Sequence, residues 1–428
     1  MSDERQQGRP EERRSDQHRE DHKVAIVLSG AGARGAFQAG VLATLLPALA
    51  DAGTIPSILL GTSAGGINAA LWASQAHHPV TDAADRLLGL WTHLSHRDVY
   101  APLLRTTFTR TLEQFAAGAV LNRGKGTTSL FDTSPLRHTA DRLLDTDQLA
   151  RNVAAGTPEA VGVIATRVPF AADSDDGTAS GRSVLFLHEQ HPVTHPGDPD
   201  RAQDVMSCPL RREHVLASAA IPVAFPAVRV TDPPTAAGWY IDGGVRLNTP
   251  LRPAVALGAT RIIVISANST VYGPPAGPGA SPSPPDVADA AGQVLHAVLA
   301  DRLVEDLRQL RARNHLLAQL RALPGAAAVT LHRQDDTPYR TIEYITVSPA
   351  PGELGRLAAR VLADKTRGFG AVREQDNYLL GQLLRGAGDG PGRRELLSYL
   401  FFDEDYFAQS IKCGHHAALS ALAAGWHT

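Results

Sequence analysis

Near its beginning the chain runs twice through a strand, a short loop and a helix, and this repetition limits the folds open to it. The apolar run "VAIVLS" (residues 24–29) has the length of a buried strand, and "GAGARG" leads from it into "AFQAGVLATLLPALADAG", whose apolar residues recur at helical spacing. A second unit follows, with "SILL" as the strand and "AGGINAALWASQA" as the helix. Parallel strands joined through helices predict an α/β fold in which helices cover both faces of the sheet.

Five later apolar runs predict further strands, namely "AVGVIATRV", "SVLFLHE", "GWYID", "RIIVISA" and "TIEYITVSP". The last run follows a long amphipathic helix or helix pair over residues 291–320. We therefore expect the C-terminal third of the chain to complete the same sheet.

Composition divides the chain into four parts. Residues 1–22 form a polar tail of mixed charge that we expect to be disordered, and residues 271–286 form a linker rich in Pro, Gly and Ser. Between them, residues 23–270 are predicted to be one α/β domain, and residues 287–428 a mainly helical region that contributes a further strand. Within residues 78–152, the segment "VYAPLLRTTFTRTLEQFAAGAVL" fits an amphipathic cap over a site and a core helix equally well.

Charge and cysteine content exclude several classes of protein. The formal net charge is −3 and no dense Lys/Arg stripe appears, which argues against nucleic acid as a partner. Two cysteines, Cys208 and Cys413, are too few for a disulfide framework or a zinc site. No window holds about 18 uninterrupted apolar residues, since Arg261 breaks the best one, and the N-terminal tail lacks the apolar core of a signal peptide. These features predict a cytoplasmic protein.

The loop "GAGARG" fits the G-x-G-x-x-G pattern of dinucleotide-binding turns. That interpretation requires an acidic residue at the end of the next strand, roughly 20 residues further on, to bind a ribose. Asp51 has about that spacing, but it closes the helix, and the next strand ends instead in "LLGTSAG". The dinucleotide interpretation therefore fails.

The segment at the end of that second strand is a G-x-S-x-G nucleophile elbow centred on Ser63. A sharp strand-to-helix turn strains the central residue and leaves no room for side chains two positions away. The predicted elbow comprises Gly61, Thr62, Ser63, Ala64 and Gly65. The alternative role for Ser63 is that of a helix N-cap after a tight turn.

With a serine nucleophile, the loop "GAGARG" acquires a different role as an oxyanion hole. A tetrahedral intermediate needs preorganised N–H donors, and small residues let the amides of Ala31 and Gly32 approach its oxygen. Arg34 either orients the loop, attracts an anionic head group or is simply solvated. The complete predicted loop is Gly30, Ala31, Gly32, Ala33, Arg34 and Gly35.

A nucleophilic serine needs a base, and the late histidines are poorly placed for that role. They fall in predicted helices or in "LHRQDD" rather than in loops that leave strands; they are His296, His315, His332, His415 and His416. By contrast, "GWYID" ends in Asp242, which Gly243 and Gly244 follow. A carboxylate at the carboxyl end of a strand lies where open α/β sheets place their chemistry, although an ordinary Asp-Gly turn is the alternative.

One further cluster of metal-ligand residues, "HEQHPVTH", holds His188, Glu189, His191 and His195. It departs from H-E-x-x-H, and its prolines break any helix that would align ligands. We interpret it as a solvated loop and predict neither a metal site nor a cofactor.

Four blocks, "LSGAGARGAFQAGVL", "LLGTSAGGINAAL", "ASAAIPVAFPAV" and "YIDGGVRLNTPL", together resemble the patatin-like phospholipases, which are lipid acyl hydrolases with a Ser-Asp dyad. The resemblance covers about residues 24–267, and "YRTIEYITVSP" and "LLSYLFFDEDYF" are similar to the C-terminal part of bacterial members. It implies a three-layer sandwich around a mostly parallel sheet, with Ser63 as nucleophile, Asp242 as base and residues 30–35 as the oxyanion loop. Ala31 departs from the glycine that the family usually has there.

The leading hypothesis is hydrolysis of phospholipid or lysophospholipid acyl esters through an acyl-enzyme on Ser63, with lipid as substrate and transient contact with a membrane surface. Two alternatives stay open: an α/β-hydrolase with a Ser-His-Asp triad, and a catalytically silent lipid- or nucleotide-binding protein that keeps the fold. An intact Ser63, Asp242 and glycine loop argue against the silent protein.

Overall fold

The structure, a computed structural model, describes the chain with gaps. The described residues are 23–101, 129, 131–169, 181–192, 197–198, 201–271, 287–297, 302–323, 331–332, 338–367, 375–385 and 390–428. The predicted tail, nearly all of the linker, most of the segment proposed as a cap or core helix, and His195 lie outside them.

In the described part of the chain, the centre of the fold is one nine-stranded sheet. Its strands are β1 (Val24–Leu28), β2 (Ile58–Thr62), β3 (Ala160–Val168), β4 (Arg182–Glu189), β5 (Gln203–Ser207), β6 (Val228–Val230), β7 (Gly238–Asp242), β8 (Arg261–Ile265) and β9 (Glu343–Val347). The order across the sheet is β5-β4-β3-β2-β1-β8-β9, and β7 pairs with both β3 and β6. The β3–β4, β3–β7 and β6–β7 pairs are antiparallel and all other pairs are parallel, so the predicted mostly parallel sheet is confirmed.

Helices cover both faces of the sheet. In the described residues they are α1 (Gly35–Asp51), α2 (Ala64–Gln75), α3 (Val80–Thr92), α4 (His96–Val99), α5 (Ser134–Leu143), α6 (Thr146–Ala154), α7 (Arg212–Ser218), α8 (Leu251–Ala256), α9 (Val287–His296), α10 (Arg302–Arg321), α11 (Glu353–Lys365), α12 (Gln375–Arg385), α13 (Pro391–Leu400) and α14 (Glu404–Ala424). One apolar cluster joins the sheet to α1, α2, α3 and α14, and a second joins its other face to α8 and α10.

Two strands were not anticipated. β5 has the sequence "QDVMS", in which polar residues interrupt the apolar run, and β6 has only three residues. Both form because the longer strands β4 and β7 offer backbone partners to them. In the described residues, the long amphipathic stretch near residue 300 contains the two helices α9 and α10.

The antiparallel strand β7 meets β2 end to end, and this meeting positions the candidate site. Along one edge of β3, Thr62 of β2 is the partner of Ile164, and Asp242 of β7 is the partner of the next residue, Ala165. β2 and β7 approach from opposite directions, so their carboxyl ends face each other. Ser63, the residue after β2, therefore lies beside Asp242.

Helix α14 packs on α1 at very short range. A Cβ atom at Gly40 of α1 would overlap the carbonyl oxygen of Ile411, and one at Gly414 of α14 would overlap the carbonyl oxygen of Phe37. The C-terminal helix is therefore part of the same core as the first helix.

One helical stretch in the described residues, Gly32–Asp51, is long and apolar enough by length and composition to cross a membrane. Its best window is 72% buried inside the protein, as is typical of a core helix. This stretch contains α1, which lies between the sheet and α14.

Candidate active site

Ser63 occupies the sharp turn between β2 and α2. Its backbone angles, φ 56° and ψ −129°, are strained for a residue with a side chain. A Cβ at Gly61 would overlap the carbonyl oxygen of Gly65, and a Cβ at Gly65 would lie 2.5 Å from the carbonyl oxygen of Ser29. The turn therefore requires glycine at both flanking positions, as an elbow does.

The other two residues of the predicted elbow have separate surroundings. The Thr62 hydroxyl donates a hydrogen bond of 3.0 Å to the carbonyl oxygen of Leu247. Ala64 begins α2 and lines a cavity together with Ser63.

Asp242 ends β7 beside this turn and is 6% exposed. Its Oδ1 accepts a hydrogen bond of 2.7 Å from the N–H of Gly244. Gly243 and Gly244 are buried at the start of a short 3₁₀ helix, Gly243–Val245. The two glycines after Asp242 thus supply a backbone donor that orients its carboxylate.

Burial raises the pKa of Asp242 to about 6, against the lowering effects of the Ser63 hydroxyl and the Gly244 amide. The Ser63 hydroxyl is therefore near enough to influence the carboxylate as a hydrogen-bond donor. Within the described part of the chain, however, Oδ2 has no hydrogen bond of normal geometry. We therefore interpret the Ser63–Asp242 contact as a loose hydrogen bond in the free protein. Catalytic hydrogen bonds often tighten only when substrate binds.

The loop between β1 and α1 has three unused N–H groups among the described contacts, those of Ala31, Gly32 and Ala33. The other amides of the predicted oxyanion loop are occupied. The N–H of Gly30 bonds to Asn248, that of Arg34 to the carbonyl oxygen of Ala31, and that of Gly35 to the carbonyl oxygen of Gly32. The available donors are thus in the middle of the loop, at Ala31 to Ala33.

Arg34 points away from solvent and is 2% exposed. Its guanidinium donates to Ser398 Oγ, Asn268 Oδ1 and the carbonyl oxygen of Ala267, and it pairs with Glu395. A solvated arginine and a head-group receptor both need an exposed guanidinium, so both interpretations are wrong. The contacts fit the remaining interpretation, orientation of the loop.

Ser63 opens onto an apolar cavity of about 90 Å³. Its walls are almost entirely apolar side chains from α2, α3, α5 and α7, together with Ile221, Phe225 and Phe402. Gly32, in the middle of the glycine loop, lines the same cavity. A hydrocarbon chain is the type of group that such walls accommodate.

None of the late histidines is among the described residues that line this cavity. Four of them are exposed, and the side chain of the fifth, His296, lies outside the description; the exposed ones are His315, His332, His415 and His416. In the other cluster, the interpretation as a solvated loop is wrong for His188 and Glu189, which end strand β4, whereas His191 is exposed. No group of three His, Cys, Asp or Glu side chains suited to a metal ion occurs in the described residues.

Two residues of the site received no role in the sequence analysis. Asn248 is buried, and both its carbonyl oxygen and its Oδ1 accept from the N–H of Gly30, at 3.0 and 3.1 Å. Ser218 accepts from the N–H of Ser63 at 2.9 Å. Both stand in blocks that carry the family resemblance, but only the tertiary contacts connect them to the site.

A family model described as patatin-like phospholipase matches residues 26–255, which is more than half of the chain. A search of curated proteins finds no match. Among solved structures that match is VipD from Legionella pneumophila, with 14% identity, a TM-score of 0.33, and coverage of 95% of this chain and 67% of that one. The family assignment therefore depends on the family model.

Proposed function

The chain belongs to the patatin-like phospholipase family, which implies lipid acyl hydrolase activity, and we propose that it cleaves acyl esters of phospholipids or lysophospholipids through Ser63 and Asp242. The observation that carries this proposal is the meeting of the two residues at the ends of β2 and β7, beside an apolar cavity. In this proposal the protein is a serine carboxylic-ester hydrolase.

In the first half of the reaction, the Ser63 hydroxyl gives its proton to the Asp242 carboxylate while Oγ attacks the ester carbonyl carbon. The negative charge that forms on the carbonyl oxygen is stabilised by free N–H groups of Ala31, Gly32 and Ala33. The intermediate then collapses, the ester C–O bond breaks, and the departing alcohol takes the proton from Asp242. An acyl group remains on Ser63.

In the second half, a water molecule gives a proton to Asp242 and attacks the acyl carbon. The proton then returns to Ser63 Oγ as the acid leaves. A carboxylate of ordinary pKa, about 3.9, is a weak base for this work. The raised pKa of Asp242 makes it a stronger one.

The apolar cavity supports an acyl chain as the group bound next to Ser63, with the polar head group towards solvent. A lipid in a bilayer is the corresponding substrate, so we propose cytoplasmic location with transient contact at a membrane surface. No nucleic acid, metal or organic cofactor has a role in this reaction.

The test is labelling with a fluorophosphonate probe, followed by hydrolysis assays on Ser63→Ala and Asp242→Asn. We expect label on Ser63 and a loss of ester hydrolysis of similar size in both variants, because the asparagine keeps the shape but cannot take the proton. Absence of label on the folded protein would favour the silent lipid-binding protein, and label on another serine would exclude this site.

The triad alternative is tested by replacing each late histidine with glutamine, one at a time. Most of the activity should remain in every variant. A folded histidine variant as inactive as Ser63→Ala would make the α/β-hydrolase alternative correct.

A further inference from the structure

Ser218, the last residue of α7, and the turn after it contact the backbone of both proposed reacting residues. The Ser218 hydroxyl accepts a hydrogen bond of 2.9 Å from the N–H of Ser63. Two residues later, the carbonyl oxygen of Ala220 accepts a hydrogen bond of 2.8 Å from the N–H of Asp242. We call residues 218–220 the backbone clamp.

The sheet itself cannot provide the first of these bonds. β2 stops at Thr62, because from Ala165 onward the same edge of β3 is taken by β7. The N–H of Ser63 is therefore beyond the β2–β3 ladder, and it is a buried donor that needs a partner. Ser218 is the partner that the fold provides.

The Ser218 hydroxyl is oriented as a hydrogen-bond acceptor for Ser63. It is 0% exposed and donates its single proton to the carbonyl oxygen of Ile164, at 2.5 Å. Its lone pairs are then free to accept from Ser63. Ile164 is the β3 partner of Thr62, so one hydroxyl connects the elbow to the strand beside it.

We propose that Ser218 is a positioning residue for the reaction. Its hydroxyl holds the strained Ser63 elbow at a set distance from Asp242, and Ala220 of the same clamp holds the backbone of Asp242. This inference rests on the function proposed above. Replacing Ser218 by alanine leaves the N–H of Ser63 buried without an acceptor, and an elbow in an unfavourable conformation relaxes most easily when such a restraint is lost.

The experiment compares Ser218→Ala with Ser74→Ala in the full-length protein. Ser74 is also 0% exposed and also donates to a carbonyl oxygen, that of Leu71 at 2.8 Å, but it lies at the far end of α2 from Ser63. The first measurement is hydrogen exchange of the peptide that spans residues 58–66. We expect about tenfold faster exchange at the elbow in Ser218→Ala and no change there in Ser74→Ala.

The second measurement is ester hydrolysis, in which a misplaced nucleophile lowers kcat and not substrate binding. We expect kcat to fall between about 10- and 100-fold in Ser218→Ala with KM nearly unchanged. The acidic limb of kcat/KM should also move to higher pH, because the Ser63 hydroxyl lowers the pKa of Asp242 and would do so less from a displaced position. Ser74→Ala should match the wild type in kcat, in KM and in the pH of the acidic limb.

If Ser218→Ala does not fold, Ser218→Cys takes its place, because a thiol has similar size and is a weaker hydrogen-bond acceptor. The changes in exchange, kcat and the acidic limb should then have the same direction and a smaller magnitude. Unchanged exchange at the elbow, or faster exchange with unchanged kcat and acidic limb, would overturn the positioning role. If the wild-type protein hydrolysed no ester and took no label, the proposed function would fail instead. The exchange measurement would still decide in that case whether Ser218 restrains the elbow.

Discussion

At the scale of single residues, Asp242 combines a chemical advantage with a cost in stability. The same burial that raises its pKa to about 6, and so improves it as a base, makes its ionised form unfavourable in the folded protein. Asp242 is ionised in the unfolded chain above about pH 4 and in the folded protein only above about pH 6. The folded state therefore binds more protons between these values, and its stability falls as the pH rises through them.

Asp242→Asn should accordingly stabilise the protein at neutral pH while abolishing activity. We expect the free energy of unfolding to increase by about 1–3 kcal/mol at pH 8 and to change much less at pH 4, where the aspartic acid is protonated in the folded state and about half protonated in the unfolded chain. Urea unfolding at the two pH values measures this difference. Asp85→Asn, at an exposed position in α3, is the matched control and should show no such gain. A variant less stable than the wild type at pH 8 would contradict the argument.

The pKa of Asp242 also sets an acidic limit on the reaction. Only the ionised carboxylate accepts the Ser63 proton, so kcat/KM for an ester should fall about tenfold per pH unit below about pH 6. A pH–rate profile on a soluble short-chain ester measures the limb without the complication of membrane binding. A limb near pH 4, the value of an ordinary aspartate, would show that Asp242 is not the base or that it is hydrated in solution.

At the scale of secondary-structure elements, the contact between α1 and α14 depends on two glycines. Because a Cβ at Gly414 would overlap a backbone carbonyl oxygen, the two helices cannot keep their separation with any larger residue there. Backbone atoms yield far less readily than the end of a flexible side chain. α1 begins at Gly35, at the end of the glycine loop, so a displaced α1 also displaces that loop.

Gly414→Ala should therefore lower the free energy of unfolding by about 1–3 kcal/mol, as overpacked core substitutions do, although alanine is the better helix former. Gly89→Ala in α3 is the control, because a Cβ at Gly89 meets nothing within 4 Å. That variant should gain up to about 1 kcal/mol from helix propensity. Thermal unfolding of the two variants side by side tests the prediction, and equal midpoints would disprove the close contact.

At the scale of the whole molecule, the C-terminal region completes a site whose reacting residues lie in the first 242 positions. Arg34, in the glycine loop, reaches Glu395 and Ser398 in α13 and stacks 4.1 Å from the ring centroid of Tyr399. Phe402 contributes to the wall of the cavity beside Ser63. These contacts lie beyond the residues that the family model matches, 26–255.

Arg34→Met keeps an unbranched apolar stem, although a shorter one, and removes the charge and the donors. It should reduce the free energy of unfolding by about 3 kcal/mol or more, because Glu395 and several buried acceptors lose their partner. Ester hydrolysis should fall as well, since the short 3₁₀ helix Gly32–Arg34 loses its attachment. Arg360→Met, at an exposed position in α11, is the control and should leave both properties unchanged. Retention of full activity by Arg34→Met would show that the loop keeps its conformation without α13.

The sequence by itself determined the features that depend on neighbouring residues. Apolar runs predicted seven of the nine described strands, and helical periodicity predicted α1, α2 and the stretch that holds α9 and α10, because side-chain spacing follows directly from backbone geometry. The elbow around Ser63 was also predictable from the sequence, because the crowding that requires Gly61 and Gly65 arises within five residues. The resemblance carried by four short blocks then indicated the family and paired Ser63 with Asp242.

Only the tertiary structure decided which distant groups meet. β7 runs antiparallel and meets β2 head-on, which no local pattern predicts, because strand direction is set by how long connections pack. The same holds for Ser218 beneath the elbow and for Arg34 inside the C-terminal helices. Each of these polar groups is buried and must find a hydrogen-bond partner, but that partner is 155 positions away along the chain for Ser218 and 364 for the Arg34–Ser398 pair. Spacing in the sequence carries no information about contacts at such separations. The packing of the sheet and the helices determines which of these distant groups meet.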